Sequence, residues 1–153
     1  MTEQEEKFVH FASCVAWLNN AWRLLQVIRE QPGPLMGPAF RFALIEYCKP
    51  YKLSHGAVRK HKLDTTHIPS ALLPLHSRIV GTRDQILAHS DLTVMEAKLS
   101  VHEFMEQRYS LIVQNRITGL EELPNIDEVI LLIEGTLDNM YIEEKRLEAA
   151  LPL

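Results

Sequence analysis

Apolar residues recur at intervals of three and four through most of the chain, the spacing of helices that each bury one side. Between residues 2 and 31, Phe8, Phe11, Val15, Leu18, Trp22 and Leu25 form one stripe. Val9, Ala12, Ala16, Leu24 and Ile28 widen it beyond a strict coiled-coil seam, so packing inside a bundle is expected rather than pairing of two long helices. Thr2 followed by Glu5 fits a capping box at its start. The stretch PGPLMGP at 32–38, with three prolines and two glycines, must stop it. A second, shorter helix is expected from about Pro38 to Lys49, burying Phe40, Ala43, Leu44 and Tyr47 and ended by Pro50. A third starts near Pro69 and carries Leu72, His76, Ile79, Arg83 and Ile86 on one side. It should end near His89, because Ser90 and Asp91 favour caps and turns. The last helix follows Leu123-Pro124-Asn125, with Ile126, Ile130, Ile133, Leu137, Tyr141 and Leu147 on its apolar face. Asp127 and Glu128 in its first turn, and Lys145 and Arg146 near its end, match the helix dipole.

Two stretches break this pattern. Residues 50–68, PYKLSHGAVRKHKLDTTHI, show no long apolar period and read as a loop, with a short helix at about Gly56 to His61. The strings TVMEAKLSVHEF and RYSLIVQNRI alternate and contain β-branched residues. They predict a small β-hairpin near 94–117, turning between Glu103 and Gln107. Val94, Ala97, Val101, Phe104 and Met105 also fit a helix, so that alternative stays open. The expected architecture is mainly α: a single antiparallel helical bundle over 1–153 with a small hairpin insertion.

Composition narrows the class more than the chemistry. Apolar residues are 46% and charged residues 24%, as in a globular domain able to bury a core. The net charge of −4 implies no partner by itself, but its distribution is uneven. Arg41, Lys49, Lys52, Arg59, Lys60 and Lys62 stand against Glu46 alone, whereas nine acids between Glu121 and Glu148 face only Lys145 and Arg146. The basic middle is either a patch for phosphate, with Arg59, Lys60 and Lys62 as candidate binding residues, or a solvated loop. Cys14 and Cys48 are too few and too far apart for a disulfide framework or a four-cysteine zinc site, and are expected as buried thiols. The acidic start, MTEQEEKF, lacks a signal-peptide pattern, and no apolar run reaches membrane-spanning length, so a cytoplasmic setting without membrane contact is expected.

The stretch RDQILAHSD at 83–91 concentrates the candidate chemistry at the end of the third helix. Arg83 and His89, six residues apart, point roughly 120° apart on a continuous helix, so they share a ligand only if the helix ends or a second chain contributes. Asp84 and Asp91 add carboxylates to the strip, and Ser90 a hydroxyl. Arg83-Asp84, four intervening residues and His89, within LHSRIVGTRDQILAHSDL, resemble HEPN (higher eukaryotes and prokaryotes nucleotide-binding) proteins of the abortive-infection type. RFALIEYCKPYKLSHG resembles their preceding segment, and the likeness spans roughly residues 10–150. The hairpin near 94–117 departs from a plain four-helix core of that family.

The resemblance implies a metal-independent ribonuclease without a cofactor, working as a homodimer whose two motifs line one cleft. In that reading His89 is general acid or base, Arg83 steadies charge on the phosphate, and Asp84 orients Arg83 or His89. Ser90, Asp91, Arg59, Lys60 and Lys62 are the candidate binding residues, RNA the substrate, and a cognate antitoxin a candidate partner. Transfer of a nucleotide group remains open beside cleavage. Two further readings stand next to it: a non-catalytic interaction or assembly module, and a structural network in which Arg83 pairs with Asp84 or Asp91 and His89 caps the helix. No phosphate-binding glycine loop, GxSxG elbow or HExxH motif is present. His55, His61 and His67, at six-residue intervals, are expected in solvent; His10 and His76 are expected at the edge of helix faces. Trp17 and Trp22 are expected as core or dimer anchors.

Overall fold

The computed structural model describes residues 1–87, 96–114 and 118–152. Four helices carry the fold: α1 (Glu3–Glu30), α2 (Met36–Cys48), α3 (Leu73–Thr82) and α4 (Ile126–Ala149). Two short antiparallel pairs complete it: β1 (Ser54–His55) with β2 (Lys60–His61), and β3 (Lys98–Phe104) with β4 (Gln107–Val113).

Helix α1 forms as the stripe predicts. Thr2 accepts from the Glu5 N–H, and the Glu5 carboxylate accepts from the Thr2 N–H, closing the capping box. Its inner face buries Phe11, Val15, Leu18, Ala21 and Leu25 against α2 and α4. Phe40, Leu44 and Tyr47 of α2, Leu75 and Ile79 of α3, and Leu132, Ile133 and Met140 of α4 close the core. Each such large apolar side chain contributes about 1.5–3 kcal/mol by leaving water. Cys14 and Cys48 are free and buried in the same core, and Trp17 and Trp22 lie half-buried against it.

Differences from the sequence pattern have local causes. Helix α2 begins at Met36, placing Pro38 in its first turn, where a missing N–H costs no helical bond. Helix α3 begins later than Pro69. A tighter turn over Ser70–Leu72 comes first, and Pro74 cannot supply the N–H that would extend the α-helix backward. In α4 the buried face is broader than the stripe predicted, because α1 and α3 both pack on it. Val129, Leu132, Thr136 and Met140 are buried beside Ile130, Ile133 and Leu137. Tyr141 moves to the rim, 39% exposed, where its hydroxyl meets the Asn19 side chain.

The segment expected to hold a short helix between Gly56 and His61 instead forms the β1–β2 pairing, with His55 opposite Lys60. The Val58 and Arg59 N–H groups donate to the buried Glu6 carboxylate of α1, so the turn wraps around a fixed anion rather than winding on itself.

The β3–β4 hairpin replaces the helical alternative. Phe104 pairs with Gln107 across a two-residue turn in which Met105 and Glu106 both have positive φ. That mirror-image turn suits the twist of the strands but normally takes Asn-Gly, so this one is strained. Leu99, Val101, Phe104, Tyr109, Leu111, Ile112 and Val113 are all more than half exposed.

Candidate functional site

His76, Val80 and Asp84 follow one another at intervals of four and form one stripe of the third helical segment. Tyr51 and Lys52, from the turn after α2, and Lys62 to Thr65, from the chain leaving β2, stand opposite. Together they enclose a recess of about 560 Å³. At its mouth α3 gives way to a wider π-helical turn over Arg83–Leu87, a local form common at functional sites. It carries the first part of the motif.

Asp84 organises the mouth. One carboxylate oxygen accepts from Lys52 Nζ, the other from Arg83 Nη1 at 3.2 Å. Burial raises the Asp84 carboxyl, but the bonds from Lys52 and Arg83 outweigh it and hold it below its ordinary range. Two cations and one carboxylate leave a net positive, oriented cluster, suited to a phosphate oxygen. Cys48 lies near the same charges, but burial pushes its thiol up to about 12, so it is no nucleophile at neutral pH.

His76 sits deeper. Its Nδ1 shares a 2.8 Å hydrogen bond with the Tyr47 hydroxyl, and its ring meets Tyr51 edge-on at 4.5 Å. Burial lowers its pKa, so the imidazole is neutral near pH 7. Tyr51, also buried, has a hydroxyl without a hydrogen-bond partner among the described residues. Tyr47 thus ties α2 to the helix that carries Arg83. Tyr47→Phe is expected to lower stability by about 1 kcal/mol, read as a small fall in Tm, because His76 loses its hydrogen bond to the Tyr47 hydroxyl. An unchanged Tm would remove that role.

Of the residues predicted for the site, Arg83 and Asp84 are in contact. Lys62 lines the same recess as Asp84, whereas Arg59 and Lys60 do not. His89, Ser90 and Asp91 lie outside the described residues. Lys52, Tyr51 and His76 belong to the site although they lie outside the motif. His76 had a signal, standing seven and eight positions before Arg83 and Asp84 on one helical face; Lys52 had none beyond its charge.

No family model, curated protein or solved structure matches this chain. The chemistry of the site therefore rests on its own residues. Among the described residues, no group of three or more His, Cys, Asp or Glu is placed to hold a metal ion.

A second polar centre lies under the first turns of α1. The Glu6 carboxylate accepts from the Val58 N–H at 2.8 Å and the Arg59 N–H at 3.1 Å, and pairs with His61 Nε2 at 2.6 Å. His61, expected in solvent with its loop neighbours, is buried here, because the β1–β2 turn folds it onto Glu6. His55 is exposed as predicted, while His67 is half-buried against Phe11. His10 is half-buried and stacks on His61, with ring centroids 5.1 Å apart. His76 is likewise inside rather than at a boundary. Arg59, Lys60 and Lys62 line a smaller cleft beside this centre, and Arg59 is paired with Glu3.

These groups make the fold acid-sensitive. The bond from His61, then the Val58 N–H, lowers the Glu6 carboxyl from 4.5 to about 2. A depressed carboxylate adds stability that is present above pH 4.5 and lost as pH falls toward 2. Burial lowers His10 and His76 below 6.5, so the unfolded chain takes up protons first below that pH, again favouring unfolding. Tm should therefore be highest above pH 6.5 and fall on acidification in two stages, the second smaller in Glu6→Gln, where Asp84 and the other depressed carboxylates still contribute. A Tm flat from neutral to strongly acid pH would contradict this.

Proposed function

We propose that the chain is a HEPN-like, metal-independent endoribonuclease, acting as a homodimer in a toxin–antitoxin or phage-defence setting. The observation that carries the reading is the cluster of Arg83 and Lys52 on one Asp84 carboxylate, at the mouth of the recess and at a π-helical turn. Fixed guanidinium and ammonium groups at one helix end are what a phosphodiester in transition needs, and the motif supplies an imidazole six residues on.

The reaction is internal transfer of the phosphate. The RNA 2′-oxygen attacks phosphorus while a base removes its proton. The P–O2′ bond forms, the P–O5′ bond breaks, and the leaving 5′-oxygen takes a proton. A 2′,3′-cyclic phosphate and a 5′-hydroxyl result. The His89 imidazoles of two copies supply base and acid. Arg83 holds the non-bridging oxygens and Asp84 orients Arg83. The deciding experiment compares wild type with His89→Ala on mixed RNA in EDTA across pH. Cleavage by wild type alone, leaving cyclic-phosphate ends, supports the reading; equal background from both removes it.

The hairpin favours a second reading, a non-catalytic assembly module. An isolated two-stranded hairpin is marginal in water, and this one exposes Leu111, Val113 and Tyr109 on one face and Leu99 and Ile112 on the other. Among the described residues, neither of its edges pairs with a further strand. A second copy of the chain, laying the same face of its own hairpin against the Leu99–Ile112 side, is the occupant that covers this face by one symmetric contact. Sedimentation of wild type against Ile112→Lys tests it: a dimer that dissociates in the variant supports assembly through the hairpin, and identical behaviour removes it.

A further inference from the structure

The cleft beside the Glu6 centre, of about 230 Å³, is bordered by Lys7, Arg59, Lys60 and Lys62, with His10 and His67 among its walls. Its lining is net positive, with these four cations against Asp64 and Glu143. The lining carboxylates are already engaged: Asp64 accepts from the N–H and hydroxyl of Thr66, and Glu143 takes two bonds from Arg146. Glu6 beneath is held by His61 and two backbone N–H groups. Arg59 is committed to Glu3. Lys7, Lys60 and Lys62 form no ion pair among the described residues.

Position gives the cleft its meaning. Lys62, Leu63 and Asp64 line both this cleft and the larger recess closed by Asp84. The two concavities therefore adjoin across a single segment, with Lys62 between them. Its backbone is fixed on one side by the Leu63 N–H bond to the Pro50 carbonyl, and just before it by His61 on Glu6. Lys60 and Lys62 on this braced segment, with Lys7 of α1 lining the same cleft, form a platform for negative charge spaced along a chain, more than for one small anion.

We infer that this cleft is a second phosphate subsite, in which Lys7, Lys60 and Lys62 hold the backbone of single-stranded RNA beyond the phosphate at Arg83. The inference rests on the ribonuclease reading for the identity of the chain it binds. Subsite contacts of this kind are independent of base sequence, add affinity, and add salt dependence of about 0.7 in log–log slope for each phosphate on a single strand. They favour long substrates over short ones, because a dinucleotide cannot occupy both concavities.

The test uses the full chain carrying Lys7→Gln and Lys60→Gln together, both at exposed positions, with Tm confirming the fold. Binding of a fluorescent oligoribonucleotide of roughly a dozen nucleotides is measured over a salt series, in the His89→Ala background to prevent turnover. Affinity should fall on the order of tenfold and the salt slope by about 1.4. In the cleaving protein, the ratio of long-RNA to dinucleotide cleavage should fall as well. Unchanged affinity and slope overturn the subsite, as does an absence of RNA binding by the parent protein. Inorganic phosphate is titrated in parallel: weaker phosphate binding in the variant with unchanged RNA binding makes the cleft a small-anion site and overturns the proposal. Arg83→Ala separates the two readings. If it leaves cleavage intact while the lysine variant loses RNA affinity, the ribonuclease site has failed and the subsite has not.

Discussion

Arg83→Ala should lower RNA cleavage by about 10²–10³-fold, the cost of losing one donor aimed at a phosphate in transition. The fold should hardly notice. Arg83 is part-exposed and Asp84 keeps its bond from Lys52, so the loss in stability should stay under about 1 kcal/mol. Arg83→Lys retains the charge but loses the fork that lets one group bond Asp84 and a phosphate at once, so its rate should fall between wild type and alanine. Single-turnover cleavage, with the protein in excess over RNA and above the binding constant, isolates the chemical step. A rate within twofold of wild type for Arg83→Ala would leave the arginine a structural role only. Lys52→Ala gives a useful contrast: it removes the other partner of Asp84 and frees the carboxylate to pull Arg83 inward.

Gly56→Ala is the largest expected effect on stability from a single added methyl group. A Cβ at this position meets the Glu6 carboxylate and approaches the Arg59 carbonyl oxygen to 2.7 Å. Neither neighbour has room to retreat. The carboxylate is fixed by the Val58 and Arg59 N–H groups and by His61, and the Arg59 carbonyl accepts the Gly56 N–H at 2.9 Å. Relief requires opening the turn, which also unseats His61 from beneath His10. The expected loss is about 2–3 kcal/mol, or a fall in Tm of roughly 5–10 °C for a chain of this size. Thermal unfolding at neutral pH measures it, and a Tm equal to wild type would show that the turn repacks freely.

Much of the helical framework was legible because its signals are local. The Thr2–Glu5 box, the proline-rich stop after α1 and the acidic first turn of α4 need no tertiary partner to act. The hairpin was legible from alternation, although Val101 and Phe104 fit a helix equally well. What chose strand is the pairing of Leu99 with Ile112 and Val101 with Ser110, a relation across the turn that no single window contains. The polar residues were harder. His61 belongs to a basic, glycine-containing stretch that looks solvated, and only the distant carboxylate of Glu6 brings it inside. Lys52 carries no motif at all; it reaches the site because the turn after α2 faces Asp84.

By itself, the amino-acid sequence determined a mainly helical chain, the approximate ends of its helices, a hairpin in the second half and an Arg83-Asp84 motif at the end of α3, because periodicity, caps and breakers act over a few residues. Tertiary structure alone decided which side chains surround that motif. The recess, the Lys52–Asp84–Arg83 cluster, the Tyr47–His76 bond and the Glu6 seat join residues far apart in sequence. Such contacts are set by how α2, α3 and the β1–β2 turn pack around one core, and packing is a property of the whole chain.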